Sequence, residues 1–204
     1  MGFYSDHVLP WLCHLAMSNR RLLPYRQRLV SAAEGRVLEI GIGSGLNLSF
    51  YQPKARELFG LDPGPRLIEL ARRAAHDSTI PVALIEGSAE SIPLESHSFD
   101  TVLTSWTLCS IPNAGAALAE MRRVLRPSGR LLFVEHGLAP EQRVQKWQNR
   151  MTPIWSHISG GCHLNRPVRT LIETVGFRID RIETGYMPGP KIMTFMHEGS
   201  AGPT

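Results

Sequence analysis

Three glycines crowd the end of one short apolar run. Arg36-Val-Leu-Glu-Ile40 reads as a strand, and Glu39-Ile-Gly41-Ile-Gly43-Ser-Gly45 leads from it into a helix-like stretch. Glycines at a strand-to-helix junction let the backbone turn tightly and approach a ligand, whose polar groups can meet the helix N-terminus. The spacing separates ligand classes. The dinucleotide fingerprint G-x-G-x-x-G needs glycines at 41, 43 and 46, and position 46 is Leu46. The phosphate-binding loop ends in Gly-Lys-Ser/Thr, which does not follow here. What stands is an acid followed by Gly-x-Gly-x-Gly.

The rest of the chain keeps the same rhythm. Arg56–Leu61 reads as the next strand, closing at Asp62-Pro63-Gly64, and Pro65–His76 as a helix. Val82–Glu86 and Phe99–Ser105 read as strands three and four. Ala114–Leu125 reads as a helix stopped by Arg126-Pro-Ser-Gly129, and Arg130–Glu135 as strand five. Alternation at this spacing predicts an α/β fold, a parallel sheet covered on both faces. Between 137 and 166 the rhythm breaks around Trp147, Pro153, Trp155, Gly160, Gly161 and Cys162, which suggests a lid or substrate segment. Val168–Val175 then reads as a helix. Phe177–Tyr186 and Lys191–Met196 read as a hairpin turned by Met187-Pro-Gly-Pro190. Residues 3–34, broken by Pro10 and Pro24, predict two or three short helices. With no repeat and no linker, 1–204 is expected to form one domain.

Composition removes other classes. At 204 residues with 43% hydrophobic and 20% charged residues, the chain can bury a core and is not expected to be disordered. No apolar run approaches the roughly 20 residues of a membrane span. Met1–His7 lacks the pattern of a secretory signal, and the three cysteines lie far apart. The expectation is an intracellular, reduced, cytoplasmic protein. The net charge of +4 falls largely on helix-like stretches (Arg122, Arg123, Arg126, Arg130; Arg143, Lys146, Arg150), which reads as solvated helix faces rather than a nucleic-acid patch.

Asp62 ends the second strand about 20 residues after the loop, where such sheets place a ribose-binding acid. Alone it is a good helix N-cap. Coupled to the glycine loop, ribose binding is the better reading. At this point the sequence resembles class I S-adenosylmethionine-dependent methyltransferases. The resemblance rests on Val37-Leu-Glu-Ile-Gly-Ile-Gly-Ser-Gly45, Gly60-Leu-Asp-Pro63, Glu86-Gly-Ser-Ala-Glu-Ser-Ile-Pro93, Ser98-Phe-Asp100 and Val124-Leu-Arg-Pro-Ser128. It implies S-adenosyl-L-methionine as cofactor and a Rossmann-like seven-stranded sheet whose last two strands are an antiparallel hairpin. It also implies that Gly41, Gly43 and Gly45 pass the methionine part of the cofactor, that Asp62 holds the ribose and that Ser88 with Ala89 borders the adenine. The family usually carries Asp or Asn where Ser88 stands, which shifts the adenine contact toward the Ala89 amide. Glu39 is implied to place the cofactor's cationic end, and its residue-level alternative is a bond to neighbouring backbone amides.

The acceptor writes itself less strongly. Methyl transfer from a sulfonium is an in-line displacement, and a base is needed only where the nucleophile carries a proton. Ser105-Trp-Thr-Leu-Cys-Ser-Ile-Pro112 lacks the Asn/Asp-Pro-Pro-Tyr/Phe motif of amino methyltransferases of nucleic acids. Leu108-Cys-Ser-Ile111, Val134-Glu-His136, Trp147, Pro153-x-Trp155 and Gly161-Cys-His-Leu-Asn-Arg166 resemble the methyltransferase-like seven group, whose animal members are membrane-anchored thiol methyltransferases. A thiol or hydrogen sulfide acceptor is what that resemblance implies. His136, at the end of strand five, is the candidate base for a thiol, or else a residue that fixes its loop. Trp106, Cys109, Trp147, Trp155 and Arg166 are candidates to line the acceptor site, with lid packing as the alternative for the two lid tryptophans and pairing within the lid for Arg166. His157, Cys162 and His163 offer no fourth ligand at zinc spacing, so no metal is expected. The competing readings are a lipid or quinone methyltransferase touching a membrane surface peripherally, and a cofactor-binding regulator without turnover.

Overall fold

A computed structural model describes residues 8–204. The part of the expectations that falls on residues 1–7 lies outside the described residues. Seven strands form one sheet: β1 Gly35–Ile40, β2 Ala55–Asp62, β3 Val82–Glu86, β4 Phe99–Ser105, β5 Leu125–His136, β6 Phe177–Tyr186 and β7 Phe195–Pro203. Their order is β3-β2-β1-β4-β5-β7-β6, with β7 antiparallel to both neighbours and the first five strands parallel. The chain therefore leaves β1 toward β2 on one side and reaches β4 on the other. That is a topological switch point, and sheets of this kind place their ligand crevice there, at the strands' carboxyl ends.

The sheet divides its side chains by parity. Leu38, Ile40, Val102, Leu131 and Phe133 point into one buried layer, roofed by helices α4 (Ala114–Val124) and α6 (Val168–Thr174). Val37, Leu103, Leu132 and Val134 point into the other, under α2 (Leu23–Ser31) and α3 (Pro65–Ala74). Fully burying each such side chain contributes about 1.5–3 kcal/mol, enough to fix the register with Glu39 facing the second layer.

Three expectations are corrected. No α-helix follows the glycine loop: one 3₁₀ turn, Leu48–Phe50, is all that fits before Pro53 and β2. The break at Arg126–Gly129 is a register irregularity inside a longer β5, between Phe99↔Leu125 and Thr101↔Arg130. Lys191–Thr194 is a helical turn, α7, not a strand. Pro190 carbonyl accepts from the Met193 amide (2.9 Å) and the Thr194 hydroxyl (3.0 Å), and β7 starts only at Phe195. Gly199, Gly202 and Pro203 hid that strand, since such residues are poor strand formers. The aperiodic 137–166 stretch holds a 17-residue helix, α5 (Gln142–Ile158), with Pro153 inside it. Ahead of α2 stands α1, Leu9–Met17.

Candidate active site

On one side of the crevice the glycine loop and Asp62 are tied together. The amides of Gly41 and Ile42 donate to Leu61 carbonyl (2.8 and 3.2 Å), and the Gly43 amide donates to Asp62 Oδ2 (3.0 Å). Asp62 Oδ1 accepts from the Gly64 amide (2.8 Å). The loop thus spends these N–H groups on itself and presents its Cα surface. Gly41 and Gly43 have φ of 69° and 58°. A Cβ on Gly41 would run into the Thr107 side chain, whereas one on Gly43 would meet only Gly41 carbonyl at 3.9 Å. Asp62 is 6% exposed, and burial raises its carboxyl pKa against the two N–H bonds that lower it. Gly87 amide donates to Asp62 carbonyl (3.1 Å), which brings the turn after β3 alongside. There Ala89 is buried, while Ser88 is exposed and its hydroxyl accepts from the Glu90 amide (3.1 Å).

Glu39 bonds side chains rather than backbone amides. Its carboxylate accepts from Asn47 Nδ2 (2.7 Å) and from the Tyr51 hydroxyl (2.8 Å). Burial lifts it to about 7 despite those bonds. Asn47 also donates to Ser105 Oγ (3.1 Å) and accepts from the buried Arg26 Nη1 (2.5 Å). Arg26 Nη2 donates to Met17 carbonyl (3.0 Å), and its guanidinium lies 5.0 Å from the centre of the Trp106 ring. Trp106 has φ 50°, a conformation that costs a bulky residue about 1–3 kcal/mol. Its amide bond to Val134 carbonyl (2.8 Å) and the edge of Tyr25 help hold it there.

Across the crevice, β4, β5 and the segment after α5 bring Cys109, His136 and Cys162 together. His136 Nε2 lies 3.2 Å from Cys162 Sγ, and the Cys109 sulfur lies within 4.8 Å of both. The Cys109 contact and burial raise the Cys162 thiol well above its ordinary range. Burial lowers the His136 pKa, and Cys162 and Glu135 outweigh it, leaving a net rise. Beneath lies Glu135, whose Oε1 accepts from the Thr104 hydroxyl (2.9 Å) and the amides of Thr107 (3.1 Å) and Leu108 (3.2 Å). Burial lifts this carboxyl too, to about 7. Helix α1 spans both sides. Its His14 ring bonds Ser44 Oγ (2.7 Å), and Cys13 is raised first by burial, then by the neighbouring Cys162 and Asp62.

Residues 38–133 match the family model of the methyltransferase domain. Human thiol S-methyltransferase TMT1B is 32% identical over 194 residues, 86% of this chain and 79% of that protein. The TMT1B of Rattus norvegicus is 32% identical over 161 residues, and the match spans 77% of this chain and 65% of the relative, just under two thirds of it. The chain belongs to the S-adenosylmethionine-dependent methyltransferases. Its fold is theirs too. Burkholderia thailandensis 1,6-didemethyltoxoflavin-N1-methyltransferase, solved with its namesake ligand and S-adenosylhomocysteine, aligns with a TM-score of 0.70 at 16% identity, covering 98% of this chain and 86% of that one.

The methyltransferase's cofactor is S-adenosylmethionine, and the loop side fits it. The Gly43 face is open to a close approach, and each Asp62 oxygen accepts one backbone N–H, leaving acceptor capacity for hydroxyl groups. Of the acceptor candidates, Cys109 and His136 meet in the cluster. Trp155 is half-buried, and its Nε1 has no hydrogen-bond partner in the protein. Arg166 pairs not within the lid but across from it, donating to Ile111 carbonyl (2.7 Å) in the segment between β4 and α4. Trp147 is 53% exposed, because α5 turns Gln148 and Thr152 inward, and that puts Trp147 on the solvent side. Sequence reasoning missed Arg26, Asn47, Tyr51 and Gln148. Gln148 clamps the lid: its Oε1 accepts from the Ala139 amide (3.0 Å), and its Nε2 lies within hydrogen-bonding distance of the carbonyls of Gly137, Leu164 and Ile192. Asn47 and Tyr51 sit eight and twelve residues after Glu39, a signal visible only once the 3₁₀ turn folds them back.

Proposed function

We propose that this methyltransferase methylates a small thiol, either hydrogen sulfide or an apolar organic thiol, by in-line displacement. S-adenosylmethionine supplies the electrophilic sulfonium methyl. The observation that carries the reading is the cluster of the buried Cys109 with the half-buried His136 and Cys162, where Cys109 follows β4 and His136 ends β5. A weakly polar surface of two sulfurs suits a polarizable acceptor better than an alcohol or an amine. The thiol reacts as thiolate, so its proton must leave, and His136 is the proton acceptor. His136 Nδ1 is buried without a protein partner, so the imidazole has hydrogen-bonding capacity to spare. The likeness to the TMT1B proteins supports the same class of acceptor.

On the other side, Asp62 holds the ribose hydroxyls and Ala89 borders the adenine, with the Ser88 hydroxyl engaged by the Glu90 amide. Glu39 faces the cofactor's cationic end from behind the loop, oriented by Asn47 and Tyr51. Arg26 and Tyr25 hold Trp106 against its backbone preference, at the point where β4 meets the crevice. These residues position and desolvate the reacting atoms, which is most of what such a displacement requires.

The test is a mass-spectrometric methyl-transfer assay with hydrogen sulfide, alkyl and aryl thiols, quinols and phospholipids as acceptors. Methylated thiols are the expected products. Turnover of another class, with thiols silent, overturns the reading. One observation favours a second acceptor class. Trp11 and Leu15 on α1 and Ile154 and Ile158 on α5 are large apolar residues more than half exposed, a surface that suits lipid or quinone delivery from a membrane. No helix among the described residues is long and apolar enough to cross one. Sedimentation with anionic vesicles separates this reading, since failure to bind at low salt removes it.

A further inference from the structure

The ligand atoms of Cys109, His136 and Cys162 all lie within 4.8 Å of one another. They come from three segments, each fixed from behind. Glu135 pins the Thr107 and Leu108 amides, and so the turn that carries Cys109. The His163 amide donates to Cys109 carbonyl (2.8 Å), and its ring Nδ1 lies 2.7 Å from Gly161 carbonyl, which sets the turn that carries Cys162. Gly161, at φ 87°, allows that approach: a Cβ there would sit 3.1 Å from Ser110 carbonyl. His136 closes β5 in register with Met196 of β7.

We propose that Cys109, His136 and Cys162 bind one zinc ion, with a fourth position open to the acceptor's sulfur. Two thiolates and an imidazole are a soft donor set that selects zinc over magnesium or calcium, and the two sulfur charges balance the ion. With Zn–S about 2.3 Å and Zn–N about 2.0–2.1 Å, a tetrahedral site has ligand–ligand edges of roughly 3.5–3.8 Å. The 3.2 Å between His136 Nε2 and Cys162 Sγ is close to that edge. Three protein ligands with an exchangeable fourth is the arrangement of catalytic rather than structural zinc. The sequence reading, which expected no metal, weighed only the local spacing of His157, Cys162 and His163. The convergent set spans residues 109 to 162.

The fourth ligand rests on the thiol reading, whereas the first three do not. An acceptor R–SH taken at the open position loses its proton to solvent and stays bound through sulfur. That sulfur's lone pair forms the new S–CH3 bond while the sulfonium C–S bond breaks. The breaking bond's electron pair stays on the cofactor sulfur, which yields S-adenosylhomocysteine. The product thioether is neutral, a weaker ligand, and exchanges for the next thiol. With zinc bound, His136 acts as ligand, and the ion replaces it as the group that makes the thiolate.

The experiment uses the full chain, reduced and tag-free, titrated with cobalt(II) as a spectroscopic probe and with zinc against a chromophoric chelator. One cobalt per chain is expected, with a thiolate-to-cobalt band and the visible bands of a tetrahedral site. The wild-type spectrum needs no variant to fold. A shift of those bands on adding hydrosulfide shows the open position. Cys109→Ser and Cys162→Ser should each weaken zinc binding at least 100-fold, while His157→Ala, at an exposed position outside the cluster, leaves it within about threefold. No thiolate band, or loss of the metal in His157→Ala, overturns the proposal. Full-rate thiol methylation by chelated, metal-free protein also overturns it and leaves the thiol reading standing. One bound metal with no thiol methylated does the reverse: it keeps the three-ligand site and removes the thiol reading.

Discussion

The two sides of the crevice solve the burial of polar groups differently. On the cofactor side, both Glu39 oxygens, both Asp62 oxygens, the Asn47 amide and the Tyr51 hydroxyl all have hydrogen-bond partners within the protein. On the acceptor side, Glu135 Oε2, His136 Nδ1, Trp155 Nε1, Arg166 Nε and both His197 ring nitrogens are buried without a protein partner. Native interiors leave few such atoms, and a cluster of them marks strain or chemistry rather than support. The satisfied side is rigid and suits a ligand that never changes. The under-satisfied side has bonding capacity left for a ligand that is consumed at each turnover.

The largest expected effect tests whether the sides are separable. His136→Ala should lower thiol methylation by about 10²-fold or more and leave S-adenosylmethionine affinity within about twofold. Turnover assays and calorimetry read the two quantities, and a parallel collapse of affinity would break the comparison. Asp62→Ala is the converse. Loss of charge-assisted hydrogen bonds worth about 2 kcal/mol should weaken cofactor binding roughly 30-fold, with turnover largely restored at saturating cofactor. Unchanged affinity in a binding titration would remove the ribose role.

The sequence was legible where function rests on backbone. Gly41, Gly43 and Asp62 sit at strand ends, and strand ends follow from local alternation, so the parallel sheet and its cofactor edge could be read directly. The terminal hairpin was read, but its second strand was placed too early because Gly199 and Gly202 carry no strand signal. The acceptor side depends on side chains that meet only in three dimensions. Cys109, His136 and Cys162 each look like an isolated core residue until β4, β5 and the end of α5 are packed. Arg26 was unreadable for the same reason. A buried arginine 21 residues from its partner Asn47 looks like any surface charge on a short helix.

A pH titration sharpens the cofactor side. The Glu39 carboxyl is lifted to about 7 by burial, so it changes charge within the physiological range. The cationic cofactor favours the ionised form, so binding releases a proton wherever Glu39 is protonated beforehand. Affinity should therefore fall about tenfold from pH 8 to pH 6, as protonation passes through that value. The raised Asp62 carboxyl acts with the same sign. Calorimetry in buffers of different ionisation enthalpy counts the proton. Glu39→Gln should weaken binding at pH 8 and flatten the profile, and an unaltered slope would place the titrating group elsewhere.

The smallest effects come from two neighbours on α5. Gln148 is fully buried and joins residues 137, 139, 164 and 192, whereas Trp147 beside it is 53% exposed. Gln148→Ala removes the partner of several buried backbone groups, so the lid should loosen, melting temperature should fall and the acceptor KM should rise about fivefold with cofactor affinity unchanged. Trp147→Ala removes a ring that faces solvent and should leave the acceptor KM within about twofold. One helical position apart, the two side chains differ by about 100° around the axis, which is what separates a clamp from a surface residue. A large acceptor effect from Trp147→Ala would mean that the acceptor reaches the outer face of α5. That would move the substrate boundary from the sulfur cluster toward the exposed apolar side chains of α5, such as Ile154.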